Sequence, residues 1–204
     1  MAQWIVSPEK FLSPDEVRAM RKVLADAAAL ARAKGNQAPV RDQLVIDLGL
    51  GTGLRVSEMA NLQVDDLFLK KGQNSLHVRN GKGGKDRLVQ FSVALKTLIL
   101  DYLNYRKSSS PYLFASERGN QITASGIQQL FKKWVKKAGL PKQYSIHSLR
   151  HTYATRLYKA SGYNLRLVQK QLGHSSVSTT QVYADTSSED VDEALANLDL
   201  DQDE

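Results

Sequence analysis

The 204-residue sequence predicts a mixed α/β fold, mainly α-helical, with a small antiparallel β-hairpin or sheet. Three observations carry that expectation. Long stretches repeat apolar residues at helical spacing between recognisable caps, one pair of short β-rich runs flanks a glycine turn, and no internal repeat or low-complexity block interrupts them. At this length, with 42% hydrophobic residues, the chain suits one compact domain and is too short to promise two of full size.

The elements follow in order. In "FLSPDEVRAMRKVLADAAALARAKGN", Ser13 is placed as an N-cap and Pro14 as the first helical residue, with acids in the first turn, and the helix runs toward Gly35. Residues 1–12 are then a short arm. "APVRDQLVIDLGLGTGLRVSEMANLQVDDL" predicts a helix, a glycine-rich turn from Gly49 to Gly53, and a second helix starting near Arg55. "NSLHVRNGKGGKDRLVQFS" predicts a hairpin with Lys82 and Lys85 at its tip. A helix over "LKTLILDYLNYRK" ends at the linker "SSSPY", and "TASGIQQLFKKWVKKAG" forms another. Next, "HSLRHTYATRLY" opens a further helix, and "NLRLVQKQLG" repeats Leu165, Val168 and Leu172 at helical spacing before stopping at Gly173.

Charge is unevenly divided. Nine of the 21 acidic residues and no basic ones fall between Asp185 and Glu204, so the first 184 residues hold 12 acids against 28 bases, an excess of 16 positive charges. Such a body favours a polyanionic partner through counterion release, the alternative being a solvated basic surface. No stretch has the apolar length of a membrane span, and the start lacks the basic-then-apolar run of a secretory signal, which together predict a soluble intracellular protein. The chain has no cysteine, which excludes disulfides and thiolate metal sites.

On a helix, His147, Arg150 and His151 project together, since positions three and four apart share a face. With His174 the two histidines would make a zinc set. Against zinc, Ser148 stands where a metalloprotease has glutamate, and an arginine cation on the same face repels a metal. "GKGGKD" lacks the spacing and the hydroxyl residue of a phosphate-binding P-loop, and "GLGTGL" follows a helix pattern where a dinucleotide fingerprint needs a strand.

Five motifs taken in order resemble the tyrosine recombinases, or phage integrase family: "TGLRVSE" with Arg55, "GKGGKDR" with Lys82, "HSLRHTYAT" with His147 and Arg150, "LGHSS" with His174, and "TTQVY" with Tyr183. The resemblance spans roughly residues 12 to 190 and implies the family's catalytic-domain fold over 13–186, with the catalytic lysine on the small sheet. It implies a site-specific recombinase of the integrase, excisionase or invertase type, breaking and rejoining double-stranded DNA through a 3′-phosphotyrosine intermediate, with neither metal nor other cofactor.

The implied roles have a chemical logic. A phenol oxygen attacking a phosphodiester concentrates negative charge on the non-bridging oxygens, which the forked donors of Arg55 and Arg150 suit, with His174 as a third donor. Tyr183 is the nucleophile, His147 the candidate base, and Lys82 the acid protonating the departing 5′ oxygen. Glu58 and His151 stand as supporting residues, with a packing role as the alternative, and Lys85 and Arg87 as DNA contacts. The competing readings are a type IB topoisomerase-like enzyme, which reseals the same strand, and a catalytically idle DNA-binding regulator on the same fold.

Family members usually carry a smaller helical domain that clamps the other face of the DNA, ahead of the catalytic part. Here the arm is short, so the expectation is either a naturally short recombinase or the catalytic part of a longer protein. Val191, Leu195 and Leu198 form a stripe in the acidic tail 187–204. In the family such tails dock on a neighbouring protomer, which implies a homotetramer on paired DNA sites; the alternatives are packing of the stripe in cis and shielding of the DNA face when DNA is absent. The expected setting is cytoplasmic and nucleoid-associated, in a prokaryote or its mobile element.

Overall fold

The computed structural model describes residues 11–79, 86–116 and 119–173. Helix α1 (Pro14–Ala33) begins where its local chemistry dictates: the Ser13 hydroxyl accepts the Glu16 N–H, and the Glu16 carboxylate accepts the Ser13 N–H. This reciprocal pair satisfies two amides that a helix start leaves open. Tyr144 adds its hydroxyl to Glu16 at 2.8 Å, tying the cap to a distant part of the chain.

Helix α2 (Ala38–Thr52) is the centre of the molecule. It is buried on almost every side, with Leu44, Val45, Ile46 and Leu48 in the core, and it packs against α1 and three later helices. Its glycines depart from the expected turn. Gly49 and Gly51 are helical, and the chain turns only after Thr52, at Gly53 with φ +63°. The two helical glycines are there for closeness: a Cβ at Gly49 would lie 2.8 Å from Leu149 Cδ1, and one at Gly51 2.7 Å from Leu95 Cδ2. Side chains this near cannot be accommodated without a shift of the partner.

Helix α3 (Val56–Asn61) leads to a 3-10 turn (Val64–Asp66) and a three-stranded antiparallel sheet. The hairpin strands are β2 (Ser75–Val78) and β3 (Arg87–Gln90), in register from Ser75 opposite Gln90 to Val78 opposite Arg87. Strand β1 (Leu67–Phe68) pairs with β2 and extends the predicted hairpin to three strands; two residues are too short a run to carry a period-two signal. The tip with Lys82 and Lys85 lies outside the described residues.

The remaining helices are α4 (Val93–Tyr105), α5 (Ala124–Lys137), α6 (Ile146–Ala160) and α7 (Leu165–Leu172). Helix α5 buries Ile127, Phe131 and Trp134 and is pinned to α2 by a buried carboxylate: Asp42 accepts from Arg41, Lys133 and the Trp134 indole N–H. A fully buried carboxylate with three donors meets the requirement that an interior charge be paired. Helix α7 seats Val168 and Leu172 against Tyr153 and Ala154 of α6, and Gly173 stops it in the left-handed conformation at φ +64°.

Candidate active site

The turn between α2 and α3 is where the expected site residues begin to converge. Gly53 takes φ +63°, and a Cβ there would meet Tyr153 at 2.4 Å and Leu172 at 2.8 Å, so the turn is pressed directly onto α6 and the end of α7. Arg55 follows as the N-cap of α3.

Arg150, on α6, is only 8% exposed. Its guanidinium donates to the Gly53 carbonyl and, at 2.9 Å, to the Leu172 carbonyl. These two bonds fix the plane of the guanidinium and link the Arg55 turn to the residue two places before His174. His147 and His151, one turn apart on the same helix, differ in depth: His147 is exposed and His151 half-buried. The face that the spacing predicts thus straddles the boundary between interior and solvent.

Glu58 is the electrostatic hub among the described site residues. It accepts from the Arg55 backbone N–H and from Arg55 Nη1, both at 2.8 Å, and from Arg87 through two parallel bonds of 2.8 and 2.9 Å. Burial pushes its carboxyl upward, but the hydrogen bonds and charges of Arg87 and Arg55 outweigh that cost and hold it at about 2. It therefore stays ionised at any neutral pH. Glu58 thus touches Arg55 directly.

Arg87 departs from its expected place as a DNA contact. Its side chain is 12% exposed and its terminal nitrogens are both spent on Glu58, so it faces inward. Lys82, Lys85, His174 and Tyr183 lie outside the described residues, and His174 takes with it the third member of the alternative zinc set.

Sequence comparison decides what this arrangement belongs to. The phage integrase family pattern matches residues 10–190. The chain belongs to the phage integrase family. It is 39% identical over 164 residues to the tyrosine recombinase XerA of Pyrococcus furiosus, covering 79% of this chain and 56% of that protein. It is 40% identical over 167 residues to the tyrosine recombinase XerC of Caldanaerobacter subterraneus, covering 79% and 46% respectively. The chain thus spans about half the length of the curated relatives it matches.

Solved family structures share the fold. A crystal structure of XerA recombinase superposes with a TM-score of 0.73 at 29% identity, over 92% of this chain and 62% of that one. The XerH site-specific recombinase in a post-cleavage complex with its palindromic difH substrate superposes with a TM-score of 0.74 at 26% identity, over 91% and 52%. The mainly helical architecture with a small antiparallel sheet is that of the tyrosine recombinase catalytic domain. Among the described residues, no helix is long and apolar enough to cross a membrane.

Proposed function

We propose that residues 13–186 form the catalytic domain of a site-specific DNA recombinase that breaks and rejoins double-stranded DNA through a 3′-phosphotyrosine intermediate. The observation that carries this reading is the arginine arrangement. Arg55 is oriented by Glu58, and Arg150 is locked between the carbonyls of Gly53 and Leu172, so two guanidiniums are held by the α2–α3 turn and its neighbours with their hydrogen bonds set beforehand. Relatives that share 39–40% identity with the chain are tyrosine recombinases, and one similar structure holds its DNA substrate after cleavage.

The chemistry balances without an outside energy source. The Tyr183 oxygen, its proton drawn off by His147, attacks phosphorus, and the bond from phosphorus to the 5′ oxygen breaks. Lys82 protonates that oxygen as it leaves. Arg55, Arg150 and His174 donate to the non-bridging oxygens, where charge accumulates. Attack on the phosphotyrosine by a 5′ hydroxyl from a second strand reverses each step and completes the exchange. Lys85 contributes a phosphate contact and His151 supports the histidine-arginine helix.

The test is a nicked suicide duplex built on any inverted repeats that a search of the DNA flanking the gene turns up, incubated in excess chelator. A denaturant-stable protein–DNA adduct is the expected result, because guanidinium and ammonium groups occupy the place of a metal Lewis acid. Cleavage that disappears in chelator and returns with zinc or magnesium would revive the set His147, His151 and His174 and overturn this reading.

Residues 187–204 are proposed to dock through Val191, Leu195 and Leu198 on a neighbouring protomer, joining four copies on paired sites in the cytoplasm. Deleting them should leave adduct formation within about twofold while synaptic complexes, resolved by native electrophoresis, fall by an order of magnitude or more. Equal recombination by both forms would show the tail to be dispensable.

A further inference from the structure

Arg87 opens strand β3 opposite Val78, the last residue of β2. Its side chain is folded inward onto Glu58. One carboxylate therefore collects four donors, two from Arg55 and two from Arg87, and joins the α2–α3 turn to the base of the hairpin.

The third contact of this side chain is with α7. A Cβ at Gly173 would lie 2.6 Å from Arg87 Cδ, 2.7 Å from Nε and 3.0 Å from Cζ, so the last turn of α7 rests on the guanidinium itself. Gly173 has φ +64°, which any side chain resists, and the space above it is already filled. Arg87 Nε is buried with no hydrogen-bond partner among the described residues. Leaving a buried donor unmade is costly, and neutralising Glu58 does not require it. The side chain tolerates that cost where its flat face is the seat of a neighbouring segment.

We infer that Arg87 is a positioning residue of the recombination reaction. It holds Glu58, and through it Arg55, in fixed relation to Gly173, which His174 follows in the chain, and to the strands that lead to Lys82. The inference rests on the recombinase reading above. Only arginine suits the place, since a lysine offers a point charge where two parallel donors and a planar surface are in use.

The experiment compares Arg87→Lys, Arg87→Gln, Glu58→Gln and the double variant Arg87→Gln/Glu58→Gln. It uses two measurements on each: the salt dependence of binding to duplex DNA, and the single-turnover rate of adduct formation. Arg87→Lys and Arg87→Gln should slow adduct formation by about 100-fold, the scale of a small displacement of a reacting group, with binding and its salt slope unchanged. The double variant should be within about threefold of the slower single, because both changes break one link.

Three results would overturn the inference. A salt slope reduced by about one makes Arg87 a phosphate contact; losses that multiply in the double variant mean that it does not act through Glu58; and a wild-type rate in Arg87→Lys means that charge alone suffices. The lysine variant keeps the cation, so it remains informative should Arg87→Gln fold poorly by thermal unfolding. If the unmodified protein forms no adduct, the recombinase reading fails instead, and the salt slope still decides whether Arg87 touches DNA.

Discussion

Tyr183→Phe is expected to bind DNA as tightly as the unmodified protein and to form no denaturant-stable adduct. One oxygen is removed while the arginines and lysines are untouched, so the loss falls on chemistry alone and should reach at least about four orders of magnitude, the scale of deleting a nucleophile. The other seven tyrosines argue for this choice through what already occupies them. Tyr102 donates to the Leu113 carbonyl, and Tyr144 to Glu16. Tyr105 lies under the Arg32 guanidinium, and Tyr158 and Tyr163 meet edge to face at 5.2 Å. Tyr153 is 9% exposed, and burial lifts its hydroxyl to about 12 even with Arg150 nearby pulling it down. Tyr112 is half-buried, its backbone bridged to Gln63. Trapping on a suicide substrate measures the effect; a persistent adduct in Tyr183→Phe means that another tyrosine attacks.

The second large effect separates the proton donor from the charge clamp. Arg150→Ala should lower single-turnover cleavage by at least about 10²- to 10³-fold, as loss of a fixed oxyanion donor does. The true deficit should be larger, since the same side chain holds the Gly53 and Leu172 carbonyls together. Replacing the bridging 5′ oxygen of the DNA with sulfur, a better leaving group, should not restore Arg150→Ala, because charge still gathers on the non-bridging oxygens whatever atom departs. Lys82→Ala should be restored nearly to the unmodified rate on that strand, because sulfur leaves without a proton. Lys85→Ala should lose little on either substrate. Rescue of Lys85→Ala alone would make the second lysine the acid; rescue of neither would move that role to a histidine.

The features legible in the sequence are those whose causes are local. Ser13 and Pro14 announce the start of α1 because capping is settled within four residues, and Gly173 announces the end of α7 for the same reason. Gly49 and Gly51 were misleading, since glycine ordinarily signals a turn and here it admits Leu149 and Leu95 from helices far along the chain. Strand β1 carries no pattern of its own and exists because β2 offers it a ladder.

The candidate site divides in the same way. Arg55 and Glu58 stand three residues apart in one motif, so their contact lies within reach of a local reading. Arg87 could not be read so: its partner Glu58 lies 29 residues away, and nothing in "GKGGKDR" indicates that its last residue turns inward. Within the same motif, spacing distinguishes neither a buried cation from an exposed one nor a positioning residue from a phosphate contact.

The contact between Gly49 and Leu149 has a bearing on how such a domain changes over generations. Leu149 immediately precedes Arg150 on α6, so the notch at Gly49 that receives Leu149 lies one residue from the buried guanidinium. Position 49 therefore behaves as a shim. A Cβ at position 49 would meet Leu149 Cδ1 at 2.8 Å and its Cβ at 3.3 Å, so thickening it by one carbon makes Leu149 give way, and trimming residue 149 restores the room. Selection on the packing beneath Arg150 would then act on two apolar positions together, and would bind their histories as a size-matched pair.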